Sequence, residues 1–244
     1  MRPFFDGGAF PVLWVLALVA MMGLGLLLGR RRPERVPGVF EGTLVGLTAA
    51  LLAAAWVAAY QAHAWRLSLV HDEADYLGRC YRNSTLLPLE DRKWLRAHLL
   101  AYVDAKLRYL GEGGEAVLKT QPELVRLHLQ IWDHLAALQL PNDYPRQACL
   151  QALNDMVEVH YRRLYAYGER LPAALLGLVA GGCLASAFLA GWSSRSRLAA
   201  VVTVALLGSA FLVVRDLDNT LGGGLKNDYA NLKSLRIYMF QDPE

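Results

Sequence analysis

Apolar positions form four long blocks, two toward each end of the chain, and between them the pattern becomes amphipathic. Residues 10–29 carry no charge, and about 20 residues at ~1.5 Å rise each cross a hydrocarbon core of ~30 Å. Arg30, Arg31, Arg32 and Arg35 follow this run instead of preceding it. No small-residue cleavage site accompanies it, so it reads as a permanent span and not as a secretory signal. Pro33 and Pro37 break the chain, and a second uncharged run returns over residues 42–64, with Trp56, Tyr60 and Trp65 as interfacial anchors. A third run opens at Leu171-Pro172, where proline suits the first turn of a helix, and reaches Trp192. A polar tip spans residues 193–197, and the fourth run covers residues 198–214. Small residues recur in the second span (Ala49, Ala53, Ala54, Ala55, Ala58, Ala59) and the third (Gly177, Gly181, Gly182, Ala185, Ala190), which lets helix backbones approach closely.

Past Trp65, the spacing of Leu67, Val70, Ala74, Leu77 and Tyr81 predicts that the second membrane helix continues as an amphipathic helix until Leu87-Pro88 ends it. A further helix starts near Glu90, carries Trp94, Leu95, Leu99, Tyr102 and Leu110, and stops at Gly111, Gly113 and Gly114. The next is expected to begin with Thr120 as N-cap, Pro122 in its first turn and Glu123 near the positive end of the dipole. Its stripe is Leu124, Leu127, Ile131, Leu135 and Leu138. Pro141-Asn142-Asp143 turns the chain into a last soluble helix from about 145 to 170, with Leu150, Leu153, Val157, Tyr161, Leu164 and Tyr165, which leads into the third span. Nothing alternates like a strand. The expected fold is an all-α integral membrane protein with four transmembrane helices in two hairpins flanking a helical soluble domain. The divisions are residues 1–64 for the first hairpin, 65–170 for the soluble domain, 171–214 for the second hairpin and 215–244 for a C-terminal tail.

Composition agrees with this division. Across 244 residues the hydrophobic fraction is 55%, too high for an ordinary soluble protein. The net charge of +3 comes without a cationic stripe interleaved with aromatics, which argues against nucleic acid. Cys80, Cys149 and Cys183 show neither CxxC spacing nor a paired histidine motif, against a zinc site or redox dithiol. Cys80 and Cys149 read either as buried thiols or as a disulfide in an oxidising compartment. Sidedness is open from charge alone. Arginines at the two hairpin tips argue for cytoplasmic tips, whereas Arg66, Arg79, Arg82, Arg162, Arg163 and Arg170 argue for a cytoplasmic soluble domain.

Chemistry-bearing groups are sparse. His71 and Asp75 share a helical face beside Asp72 and Glu73, but charges just outside a span are ordinarily solvated, and Asp133-His134 with His128 lacks a nucleophile or a third ligand. No catalytic or cofactor site is expected. Arg215-Asp216-Leu217-Asp218 reads as a charged end to the fourth span, and Gly222-Gly223-Gly224 as a turned exit without the lysine of a phosphate loop. A conduit, if present, would be lined by the second span, whose polar groups are Thr43, Thr48, Tyr60, Gln61 and His63; interhelical hydrogen bonding is the competing role for the two threonines.

Glu73-Ala74, Leu77, Tyr81-Arg82 and Leu87-Pro88 resemble the EAxxLxxxYRxxxxLP block of a widespread bacterial membrane family of unknown function labelled bestrophin-like. Leu153-Asn154, Leu171-Pro172, Arg195 and Arg197, and Leu217-Asp218 before Gly222 to Gly224 resemble the same family in order and spacing. The motif residues are thus Glu73, Leu77, Tyr81, Arg82, Pro88, Pro172 and Asp218. Asn219-Thr220 departs from the bulkier His-Pro-Phe-like sequence usual there. The resemblance implies four spans per subunit, a homo-oligomer, small anions as partners beside the lipid bilayer, and a location in the bacterial inner membrane. The alternative is a membrane-anchored scaffold or sensor whose soluble domain binds a protein.

Overall fold

The computed structural model describes residues 8–31, 38–111, 114–193, 197–219 and 229–241. Arg32, Arg35, Arg195, Pro33, Pro37, Gly113, Thr220 and Gly222 to Gly224 lie outside them. The described elements are α1 (Phe10–Arg31), α2 (Gly38–Asn83), a 3-10 turn (Ser84–Leu86), α3 (Leu89–Gly111), α4 (Gly114–Ala137), α5 (Tyr144–Gly168), α6 (Ala173–Ser193), α7 (Arg197–Asp218) and α8 (Ala230–Gln241). All are helical, as the periodicity predicts. Four of them, α1, α2, α6 and α7, are long and apolar enough to cross a membrane.

Helix α2 is continuous over 46 residues, twice what a bilayer needs, so its first half, uncharged from Gly42 to Trp65, is the span and the half beginning near Arg66 lies beyond it. Ser84 Oγ donates to the Tyr81 carbonyl at 2.6 Å as the helix ends, and the Pro88 carbonyl accepts the Arg92 N–H at 2.9 Å as α3 begins.

Two boundaries differ from expectation. Helix α4 begins at Gly114, so Thr120 is internal to it and is not an N-cap, and Pro122 lies inside the helix. Proline removes one backbone bond but leaves the turns ahead of it intact, and residues 115–119 include good helix formers. Helix α5 stops at Gly168 and α6 starts at Ala173, so the soluble helix does not run into the third span. Pro172 drives the residue before it out of the α region.

The chain divides into two compact units. The membrane unit comprises Met1–His63 and Glu169–Leu225. Its core brings Phe10, Trp14 and Leu18 of α1 together with Leu52, Ala55 and Ala59 of α2, Val179, Cys183 and Ala187 of α6, and Val204, Leu207 and Phe211 of α7. Trp14 Nε1 donates to the Gly208 carbonyl at 3.2 Å, satisfying a polar group where no water is available. Helices α1 and α6 cross closely. A Cβ on Gly25 would lie 2.1 Å from the Phe188 carbonyl oxygen, and one on Gly191 2.1 Å from that of Met22, so only glycine fits.

The helical unit comprises Ala64–Gly168 and Lys226–Glu244. Its core takes Val70, Leu77 and Tyr81 from α2, Leu95 and Leu99 from α3, Leu124, Ile131 and Leu135 from α4, Leu153 and Met156 from α5, and Leu232 and Met239 from α8. Much of the stretch read as a tail is therefore structured. Residues 215–218 close α7, and α8 supplies core side chains to the helical unit. Tyr81 OH donates to the Met239 carbonyl at 3.2 Å, and its ring meets Tyr238 edge-on. All three cysteines are buried free thiols. Cys80 Sγ–H points to the Cys149 carbonyl at 3.9 Å, and burial pushes the Cys80 thiol up and that of Cys149 to about 11, which leaves both unreactive.

Candidate functional site

Two arrangements carry polar chemistry, one in each unit. The first lies on the span portion of α2. Thr48, Leu52, Ala55 and Ala59 are buried, and their four-, three- and four-residue steps make one inward stripe. Thr48 meets Gly182 of α6, where an added Cβ would sit 2.7 Å from the Thr48 hydroxyl oxygen. Thr48 is thus an interhelical contact. The opposite face carries Thr43, Leu47, Ala50, Ala54, Val57 and Gln61, all exposed in the subunit. Thr43 and Gln61 are aligned five turns apart, about 27 Å along the axis, with only small or apolar residues between them. The Thr43 hydroxyl donates to the Val39 carbonyl at 2.8 Å. Tyr60 is exposed to one side of this face, and His63 is half-buried.

The second arrangement is a charge cluster in the helical unit. Glu73, Lys106, Arg163 and His160 are 0%, 1%, 2% and 4% exposed, so their charges must be compensated locally. Glu73 Oε2 accepts from Arg163 at 2.7 Å. Its Oε1 is 2.6 Å from Lys106 Nζ, 3.4 Å from the Tyr102 hydroxyl and 3.5 Å from His160 Nδ1. Lys106 Nζ also donates to His160 Nδ1 at 2.6 Å, and the Arg163 guanidinium lies 5.5 Å from the centre of the Tyr229 ring. Burial alone would raise the Glu73 carboxyl, but Lys106, His160 and Arg163 outweigh it and hold the group well below the carboxylate range. Burial, then the Arg163 charge, brings Lys106 down to about 8 against the pull of Glu73. Two cations thus share one carboxylate.

Glu73 belongs to the sequence motif, whereas its partners on α3 and α5 belong to none. The signal was their register. Lys106 continues the stripe of Leu95, Leu99 and Tyr102, and His160 and Arg163 continue that of Cys149, Leu153 and Met156, so each is a charged or titratable group at a core position. Of the remaining motif residues, Leu77 and Tyr81 are in the core, with the Arg96 guanidinium 4.5 Å above the Tyr81 ring. The Arg82 carbonyl accepts from Thr85 at 2.7 Å. Pro88 and Pro172 stand just before α3 and α6. Asp218 Oδ1 accepts the Leu171 N–H at 2.7 Å, ahead of α6.

The histidines read as possible ligands find other partners. His71 Nδ1 meets the Asn231 side chain, and His134 Nε2 pairs with Asp91 at 3.1 Å, not with the adjacent Asp133. The Trp94 indole lies between the His98 and His134 rings, with centroids at 3.7 and 3.9 Å. Among the described residues no group of three or more His, Cys, Asp or Glu side chains could hold a metal ion.

The model of the bestrophin-like domain matches residues 9–226, and the chain belongs to that family. The fold is similar to crystal structures of a bacterial bestrophin homolog from Klebsiella pneumoniae. One mutant form superposes with a TM-score of 0.76 at 12% identity, covering 96% of this chain and 97% of that one. A second gives 0.72 at 14% identity over 94% and 97%. No protein of curated function matches the sequence. The chain is therefore an all-α, multi-pass membrane protein with the bestrophin fold.

Proposed function

We propose that the chain assembles as a homo-oligomeric anion channel of the bacterial inner membrane, in which the Thr43-to-Gln61 faces of several α2 helices surround the conduit. The supporting observation is the division of α2 into two faces. One is used up inside the subunit, and the other, small and apolar with a polar residue at each end, is exposed among the described residues. Four helices in one subunit are too few to enclose a pore, so the outer face needs other copies. An apolar constriction bounded by Thr43 and Gln61 suits gating by dewetting, and no carboxylate, histidine, lysine or arginine interrupts residues 42–62 to serve as a proton relay. The test is ion flux in liposomes holding the purified protein, with chloride compared with potassium gradients. Anion-selective flux, reduced by Gln61→Leu, is expected. Silence from a well-folded oligomer, or a monomer by light scattering and crosslinking, overturns the reading.

A second reading is a membrane-anchored scaffold or sensor. It rests on Leu129 and Trp132 of α4 and Tyr161 and Tyr165 of α5, large side chains at the surface of the helical unit. Capture of one defined partner by the full chain, lost on Trp132→Ala while flux is absent, would favour it.

A further inference from the structure

We propose that Glu73, Lys106 and His160 form an acid-operated switch of helix packing in the helical unit, in which a protonated His160 takes the place of Lys106 on one oxygen of Glu73. This inference does not depend on the channel reading. Lys106 has donors only, so at 2.6 Å from its ammonium His160 Nδ1 must be the acceptor, which makes the neutral imidazole an Nε2–H tautomer. A proton added to Nδ1 would set two donors face to face at that distance, and the contact must break. The alternative acceptor is already in place, since Glu73 Oε1 is 3.5 Å from Nδ1. That oxygen is the one now taken by Lys106 at 2.6 Å. Glu73 Oε2 is held by Arg163 and offers no relief. Acidification therefore makes two cations from different helices compete for one carboxylate oxygen, which loosens the packing of α3 against α2 and α5.

The surroundings sharpen the competition. Around His160 are Glu73 from α2, Lys106 from α3, His128 from α4, and Arg163 and Tyr161 on its own helix, with Tyr102 lying against Glu73 and Tyr229 against Arg163. Only Glu73 among them is acidic. Burial, reinforced by Lys106 and Arg163 and opposed by Glu73, keeps His160 below the usual histidine range, so it is neutral in the packed state and the packed state resists its protonation. One added proton is thus incompatible with the present arrangement and compatible with another, which is what a two-state element requires.

The full chain in lipid nanodiscs, compared at about pH 7.5 and about pH 5, provides the test. After correction for intrinsic rates, backbone hydrogen exchange in the segments holding Glu73, Lys106 and His160 should rise by about tenfold at the lower pH, equivalent to ~1.4 kcal/mol of lost protection. Measured in a His128→Gln background, which removes the acid response of that neighbouring group, His160→Gln, whose amide oxygen still accepts from Lys106, should abolish that rise. An unchanged rise in this variant, or no rise in the wild type, overturns the proposal. Nitrogen NMR of the wild-type histidines provides a check that needs no variant. His160 should carry its proton on Nε2 at neutral pH, and a proton on Nδ1 there refutes the switch.

Discussion

The carboxylate of Asp218, the last residue of α7, accepts the backbone N–H of Leu171 at 2.7 Å across 47 residues of sequence. The bond joins the exit of the fourth span to the entry of the third. Both groups are buried, where an orphaned amide is costly. Asp218→Ala should lower stability by about 1–2 kcal/mol, while Asp218→Asn keeps an acceptor and most of the stability. Thermal unfolding in detergent separates the two, at about 2–4 °C of midpoint per kcal/mol for a chain of this size.

Gly25→Ala and Gly191→Ala should each push α1 and α6 apart, because the new methyl would meet a backbone carbonyl that no rotamer change can move. A loss of about 1–3 kcal/mol or more is expected for each. Gly181→Ala is the control. Its Cβ would meet nothing within 4 Å, and the same assay should show it neutral or slightly stabilised, since alanine is the better helix former.

Glu73→Gln removes the carboxylate charge that Lys106 and Arg163 both contact, and losing one partner of a buried ion pair costs about 3–5 kcal/mol. Low yield and a depressed unfolding midpoint should result. Restoring balance by adding Lys106→Met should recover part of the loss, and a double-mutant cycle measures the coupling. A double variant no better than the single would show that the charges are not coupled.

Stability should fall with acid over a defined window. Burial and the neighbouring His160 hold His128 down to about 4, so the unfolded chain takes up that proton first. The His128 contribution is present above about pH 6.5 and is lost between about 6.5 and about 4. Glu73, also held below its ordinary value, adds a further loss beneath about pH 4.5. Unfolding midpoints measured across this range should decline, and His128→Gln should flatten the upper part of the decline.

The spans were legible because lipid and water leave opposite residue types on a helix, and the long amphipathic continuation of α2 was legible because its apolar step stays helical past Trp65. Closeness of approach was not. Hydropathy treats Gly25 and Gly177 alike, although only Gly25 has a carbonyl 2.1 Å from its missing Cβ. Thr120 has the features of a cap, a favoured N-cap residue ahead of a proline that suits a first turn, and nothing local announces that a helix has already begun at Gly114. The charge cluster was half legible, since motif spacing marks Glu73, but its partners sit on α3 and α5, and only packing brings them together.

Helix α8 contributes Leu232 and Met239 to a core whose other side chains come from residues 70–156, and the whole second hairpin lies between them in sequence. During synthesis the helical unit therefore cannot close when its own four helices have emerged. It must wait with an open face while α6 and α7 enter the membrane, which makes insertion of the second hairpin a prerequisite for finishing a domain that precedes it in the chain.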